Sequence, residues 1–216
     1  MEPSDRWRVD GPSDAPVTFV CAHGAGAPMD SPFLQAFAAG IALANIRVVR
    51  FEFDYMHKRR VDGLKRGPER MPALQKTWLD VCAQIDGPFV IGGKSMGGRV
   101  ASMVADQTQA SGLICLGYPF HPPRKPEKLR TEHLASLRCP TLVVQGTRDP
   151  MGKPDEVDTY ELSSAIRVHW VEDGDHSLVP RKRSGRTPEQ NWAEAIGEIV
   201  GFCQQVVAAA TSLPAQ

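Results

Sequence analysis

The sequence predicts an α/β fold, a mostly parallel central sheet of about seven strands with helices on both faces. Three observations predict it. Apolar, β-branched runs alternate with longer amphipathic segments, the signature of strand–helix–strand units. Most of those runs are nearly continuous in apolar residues, as parallel strands buried on both faces require. The length, 216 residues, suits one domain, since about 100–200 residues make a domain, so 1–216 is read as a single unit.

Taken in order, a short polar strand near Trp7–Val9 can pair at the sheet edge. The main strand candidates are Val17–Ala22, Arg47–Phe53, Phe89–Gly92, Gly112–Gly117, Thr141–Gln145 and Arg167–Val171. Ser31-Pro32 supplies a cap residue and a proline at the first helical position, and Phe33, Phe37 and Ile41 then recur every four residues. Leu74, Trp78, Val81, Cys82 and Ile85 form the apolar face of a second helix. A third starts directly after Ser95. The last opens at Thr187-Pro188-Glu189-Gln190, a capping-box spacing, and its face is Trp192, Ile196, Ile199, Val200, Cys203 and Val207. The tail Ala208–Gln216 is expected to fray.

Composition excludes several functions. Hydrophobic residues make up 42% of the chain and charged residues 23%, with 25 basic and 25 acidic side chains. That balance is far from a disordered chain, and zero net charge removes the bulk electrostatic case for nucleic-acid binding. No apolar run reaches the roughly 18 residues of a membrane span. The first residues, Met1 to Arg6, lack the apolar core of a secretory signal. Five scattered cysteines (Cys21, Cys82, Cys115, Cys139, Cys203) contain no C-x-x-C pair, so they read as free, mostly buried thiols and the location as cytoplasmic.

The sharpest motif is Gly93-Lys94-Ser95-Met96-Gly97, a G-x-S-x-G between the run Phe89-Val90-Ile91-Gly92 and a helix-compatible stretch. A serine in such a strand–turn–helix corner is exposed above the sheet at a helix N-terminus, and the crowded turn demands glycine two residues to either side. Gly93-Lys94-Ser95 also ends a Walker A pattern. That pattern, however, needs glycine where Pro88 stands, and the intervening residues are too apolar to wrap phosphate.

A serine nucleophile needs an acid and then a histidine, in that chain order. Leu142–Gln145 runs into Gly146-Thr147-Arg148-Asp149, and Val168–Val171 runs into a loop carrying His176. Both loops follow the carboxyl ends of strands, where open α/β sheets place their sites. Ser95, Asp149 and His176 are therefore the expected catalytic residues: nucleophile, orienting carboxylate and proton shuttle. Asp173 and Asp175 are rival acids but share the histidine's own loop. His57, His121, His133 and His169 are rival bases, with His169 inside a strand. The Met96 and Ala25 amides are the expected oxyanion donors, the latter in the loop His23-Gly24-Ala25-Gly26-Ala27. That loop lacks the third glycine of a dinucleotide fingerprint. Pocket-lining candidates are His23, Gly24, Met29, Phe120, His121 and Leu178.

These stretches, with Pro28-Met29-Asp30-Ser31, Gly98-Arg99, and Cys115 through Pro123, resemble an α/β hydrolase. They resemble more closely the small hydrolase-like family of testis-expressed protein 30 and subunit 3 of the NSL histone acetyltransferase complex. A more distant similarity is to dienelactone hydrolase-like enzymes, whose nucleophile is cysteine where this chain has serine. The resemblance implies the α/β-hydrolase fold and Ser95, Asp149 and His176 in the roles already assigned. It implies no particular substrate, because at least one member is a complex subunit.

Between Gly117 and Thr141 the chain is short, proline-rich and basic. It has room for a loop and one short helix, Glu127–Leu137, rather than a cap domain. The expected site is therefore open. It suits small, soluble carboxylic esters, with Met29, Met96 and Phe120 offering apolar contact. No metal or organic cofactor is called for, because triad chemistry is self-contained. Basic clusters recur at His57–Arg60, Lys65-Arg66, Arg124-Lys125 and Arg181–Arg183; the first, third and last follow strand ends on the site side and suggest a positive rim. The alternative function is accordingly a non-catalytic or weakly active scaffold whose basic rim takes an anionic or acidic partner.

Overall fold

The computed structural model describes residues 5–211. Its strands are β1 (Trp7–Asp10), β2 (Thr18–Ala22), β3 (Arg47–Phe51), β4 (Phe89–Lys94), β5 (Gly112–Leu116), β6 (Thr141–Gly146) and β7 (Ile166–Val171). They form one seven-stranded sheet in the order β1-β3-β2-β4-β5-β6-β7. The polar strand β1 pairs antiparallel with β3, and the other neighbours are parallel.

Strand side chains alternate between two cores, as the two-residue period of a pleated strand requires. In β2, Val20 and Ala22 join one core while Phe19 and Cys21 join the other. In β5, Leu113 and Cys115 divide from Ile114 and Leu116 in the same way. Burial on both faces explains the unbroken apolar runs.

The helices are α1 (Pro32–Ala42), α2 (Asp54–Asp62), α3 (Met71–Cys82), α4 (Met96–Val104), α5 (Pro154–Val157) and α6 (Pro188–Thr211). On one face α1 packs with α6: Leu34, Phe37 and Ile41 share a core with Ile199 and Cys203. On the other, α3 and α4 bring Leu74, Trp78, Val100 and Val104 together. Helix starts follow the expected chemistry. Ser31 Oγ accepts from the Leu34 amide at 3.5 Å. Thr187 and Gln190 close a reciprocal box, with Thr187 N–H donating to Gln190 Oε1 at 2.9 Å and Gln190 N–H to Thr187 Oγ1 at 3.3 Å.

Several expectations need correction. Phe53 is not strand but the N-cap residue of α2, a helix with Asp54 in its first turn, Arg59 and Arg60 in its last, and left-handed Gly63 after it. Those charges complement the helix dipole, but only Tyr55 and Met56 are buried, too narrow an apolar face to show as periodicity. Ile85 falls beyond α3. Glu127–Leu137 is not a helix. It holds one 3-10 turn, Glu132–Leu134, because Arg130 donates its N–H to Phe120 O at 2.8 Å and its carbonyl accepts from Tyr118 Oη at 2.9 Å. Both backbone groups are thereby withdrawn from a helical ladder. Ala208 to Thr211 continue α6 rather than fray; residues 212–216, like 1–4, lie outside the described residues.

Trp78 anchors the α3–α4 side. It is fully buried, meets Phe51 edge-on at 4.7 Å, and donates Nε1–H to Gly97 O at 3.3 Å. Trp78→Ala is expected to lower stability by about 3–5 kcal/mol, measured as a lower urea midpoint.

Candidate active site

Ser95 occupies the corner between β4 and α4 with φ 50° and ψ −112°, a left-handed-side backbone that only an over-determined turn sustains in a non-glycine residue. Its amide donates to Leu116 O at 2.9 Å, holding the corner against β5. The flanking glycines are sterically required. A Cβ on Gly93 would lie 2.3 Å from Ala22 O, and one on Gly97 2.6 Å from His23 O. The backbone thus passes so close to the end of β2 that no side chain fits, which is the reason for the G-x-S-x-G spacing.

Asp149 follows β6 and is fully buried. Its Oδ1 accepts from the Met151 amide at 2.9 Å and its Oδ2 from Gln145 Nε2 at 3.0 Å. His176, in the loop after β7, gives Nδ1–H to Asp149 Oδ2 at 2.7 Å. This bond fixes the tautomer, leaving Nε2 unprotonated and able to accept a proton. His176 and Ser95 line the same cleft of about 310 Å³, together with Gly24, Ala25, Phe33 and Lys94. A serine, an imidazole and a carboxylate in this order can perform nucleophilic acyl transfer.

Asp173, Asp175, His169 and His133 are engaged elsewhere. Asp173 receives the Arg181 main-chain N–H at 2.7 Å and its guanidinium, which hold its carboxyl below the usual range. Asp175 shapes the histidine loop by accepting from the Ser177 and Val179 amides at 2.8 and 3.0 Å. His169 pairs with Glu194 of α6 at 2.9 Å, and His133 lies 2.8 Å from Ser102 Oγ.

Of the pocket candidates, Gly24 lines the cleft. Met29, Phe120, His121 and Leu178 are buried and belong to the protein interior instead. Phe120 stacks edge-on against Tyr118 at 4.8 Å, and His121 turns toward the Pro122 carbonyl at 2.9 Å and the Glu156 carboxylate at 3.6 Å. Leu178 joins the α1–α6 core. Met29 is tied down by its backbone, which donates to Glu52 Oε1 and accepts from Arg50. Proximity to a strand end in sequence did not mean facing the site. The expected apolar contact comes from Phe33 instead, which stacks on Phe37 at 4.3 Å at the edge of the α1 core and also lines the cleft, and from Met96.

His23 is likewise buried and supports the Gly24–Ala25 loop from beneath. Its Nδ1 faces Gly24 O at 2.7 Å, and Nε2 accepts from the Phe53 amide at 3.2 Å. Tyr55 Oη donates to Ala25 O at 3.0 Å. Ala25 is exposed and lines both the His176 cleft and a neighbouring one that contains Met96.

Two residues escaped sequence reasoning. Gln145 is fully buried and joins the loop after β5 to Asp149: its Oε1 accepts from Tyr118 N, and its Nε2 also reaches Tyr118 O and Gly152 O. A lone amide inside an apolar strand was the available signal. Lys94 donates Nζ–H to the His176 carbonyl and stands 5.5 Å from the Phe33 ring centre. Burial pushes its ammonium down to about 8. Trp192 Nε1 adds a bond to Ser177 O at 3.0 Å, so the histidine loop is held from two sides.

The expected basic rim is partly neutralised. Arg60 pairs with Asp30 and Glu52, and Arg181 with Asp173. All five cysteines are buried and free of disulfides. Among the described residues no helix is long and apolar enough to cross a membrane.

A family model described as an alpha/beta hydrolase domain matches residues 15–204. Similar solved structures include XC6422 from Xanthomonas campestris, described as an a/b serine hydrolase without lid. It is 21% identical, with TM-score 0.64 over 97% of this chain and 90% of that one. An alpha-beta serine hydrolase homologue from Coxiella burnetii is 18% identical, with TM-score 0.67 over 91% and 90%. Est1E from Butyrivibrio proteoclasticus, solved with ferulic acid, is 14% identical, with TM-score 0.67 over 94% and 95%.

Burial lowers the His23 pKa from 6.5 to about 4. Between pH 6.5 and 4 the unfolded chain takes a proton there that the folded chain refuses. Stability from this group is therefore present above pH 6.5 and lost as pH falls toward 4, by about 3 kcal/mol. Urea titrations across that range are expected to show a shallower acid loss in His23→Asn.

Proposed function

The chain belongs to the alpha/beta hydrolase domain family, and from that premise we propose that it is a serine hydrolase cleaving small, soluble carboxylic esters through an acyl-enzyme. The observation that carries the reading is the 2.7 Å bond from His176 Nδ1 to buried Asp149, beside a serine held at positive φ on the same cleft. Ser95 Oγ attacks the ester carbonyl while His176 Nε2 takes its proton. Asp149 stabilises the resulting imidazolium. The amides of Met96 and Ala25 receive the oxyanion, with the N-terminus of α4 adding its dipole. His176 then protonates the departing alcohol, and water, deprotonated by the same ring, releases the acid.

Esterases and serine hydrolases among the structurally similar proteins support the reaction class. The finer kinship with the testis-expressed protein 30 group is part of the same proposal. So are a single domain across 1–216 and a cytoplasmic location, which five buried thiols suit. The chemistry calls for no cofactor.

A fluorophosphonate probe is expected to label the protein at Ser95 and to leave Ser95→Ala unlabelled. Hydrolysis of 4-nitrophenyl acetate or butyrate should drop at least a thousandfold in that variant. Absence of both labelling and turnover in the native protein would overturn the enzyme reading in favour of the scaffold.

A further inference from the structure

Ser95 stands between two clefts. One contains His176, Lys94 and Phe33. The other, of about 340 Å³, contains Met96, Arg99, Arg130, Met151 and Glu69 but not His176. In the serine-hydrolase reading, on which this inference rests, His176 protonates the departing alcohol. The leaving group therefore lies on the His176 side, and the acyl group extends into the second cleft.

That second cleft holds two arginines, neither of them ion-paired with a carboxylate among the described residues. Arg99 is one helical turn beyond Ser95, its N–H donating to Ser95 O at 3.0 Å, so the two side chains share a face of α4. Arg130 is fixed by its backbone bonds to Phe120 and Tyr118. Elsewhere Arg50, Arg60, Arg148, Arg181 and Arg186 each meet a carboxylate. Among the described residues no carboxylate pairs with Arg99 or Arg130, and Arg99 Nε is buried with no hydrogen-bond partner. Burial and the neighbouring Arg99 charge both depress Arg130, and the same two causes depress His133 beside them. Two guanidiniums held together and partly out of water are matched by an oxyanion that both can fork onto. Glu69 is the one carboxylate in the lining of this cleft, and its Oε2 is buried and unpartnered. Two cations against one anion leave a single net positive charge, which suits a monoanion rather than a phosphate dianion.

We propose that Arg99 and Arg130 form an acyl-side subsite for a terminal carboxylate, so that the preferred substrates are half-esters of short dicarboxylic acids. Neither residue stands in the basic clusters that drew notice in the sequence. Hydrolysis gives the free diacid and the alcohol, with water as the only co-reactant.

The test compares 4-nitrophenyl hydrogen glutarate with 4-nitrophenyl valerate, after subtraction of the uncatalysed rates. The native protein is expected to prefer the glutarate ester in kcat/KM. That preference ratio should fall about tenfold in Arg99→Gln and in Arg130→Gln, be partly kept in Arg130→Lys, and rise in Glu69→Gln. Calorimetry with glutaramate, a monoanion that has the same terminal carboxylate and no ester, gives a second readout that needs no turnover: binding to the native protein, weakened about tenfold in Arg130→Gln. If the valerate ester is hydrolysed but the ratio is unchanged in both glutamine variants, the subsite is wrong and the hydrolase reading stands. If Ser95 resists labelling but glutaramate binding depends on the arginines, the subsite stands and the hydrolase reading falls. Inorganic phosphate binding more tightly than glutaramate, with the same dependence on Arg130, would overturn the assignment to a monocarboxylate.

Discussion

The close passage of the backbone from Gly92 to Gly98 past its neighbours is the constraint on which the site depends. At Gly92 a Cβ would fall 2.0 Å from Ile114 O, at Gly93 2.3 Å from Ala22 O, and at Gly98 2.6 Å from Gly93 O. Only a chain stripped of side chains can turn that sharply between two strands and enter α4. Ser95 takes the conformational strain, of order 1–3 kcal/mol. The surrounding corner repays it with the Ser95 amide bond to Leu116 and the Trp78 bond to Gly97 O. The result is a hydroxyl held above the sheet at the positive end of a helix, in the position that acyl transfer uses.

The acid and histidine loops obey a related logic. They are brought together at Gly146, where a Cβ would meet Gly174 O at 2.3 Å. From there a network of polar groups, nearly all satisfied, spreads outward. Gln145 ties Asp149 to the loop after β5; Lys94 and Trp192 tie the histidine loop to β4 and α6. A buried network of this kind rigidifies a site because each member is costly to leave unpaired. The imidazole is thus oriented by carboxylate and main chain together.

The residues show what a sequence conveys and where it falls silent. Strands buried on both faces declare themselves as apolar runs, and the elbow declares itself through its glycines. Both signals are local. The capping chemistry of α1 and α6 is local too, and reads correctly at Ser31 and Thr187. What was not legible is direction and partnership. Met29, Phe120, His121 and Leu178 lie near loop positions that suggest a pocket, yet each points into the interior. Charge density along the chain marked Arg60 and Arg181 as free, while carboxylates distant in sequence or across a turn neutralise them. The isolated arginines at 99 and 130 form no run of charge, so nothing in the sequence marks that they line one cleft. The α2 helix was hidden for a third reason: a surface helix with two buried residues carries too little periodicity to register.

The connection from β5 to β6 carries a single 3-10 turn, and this has a kinetic meaning. That segment contributes no helix to stand over Ser95. In the proposed reaction an acyl group attached there would sit at an open cleft in contact with bulk solvent, without the closed lid that limits turnover in gated enzymes. Such an arrangement gives up the dry chamber that transferases use to steer an acyl group to a chosen acceptor. In the proposed reaction it favours the acceptor that is always present, water, and so release of the acid over exchange.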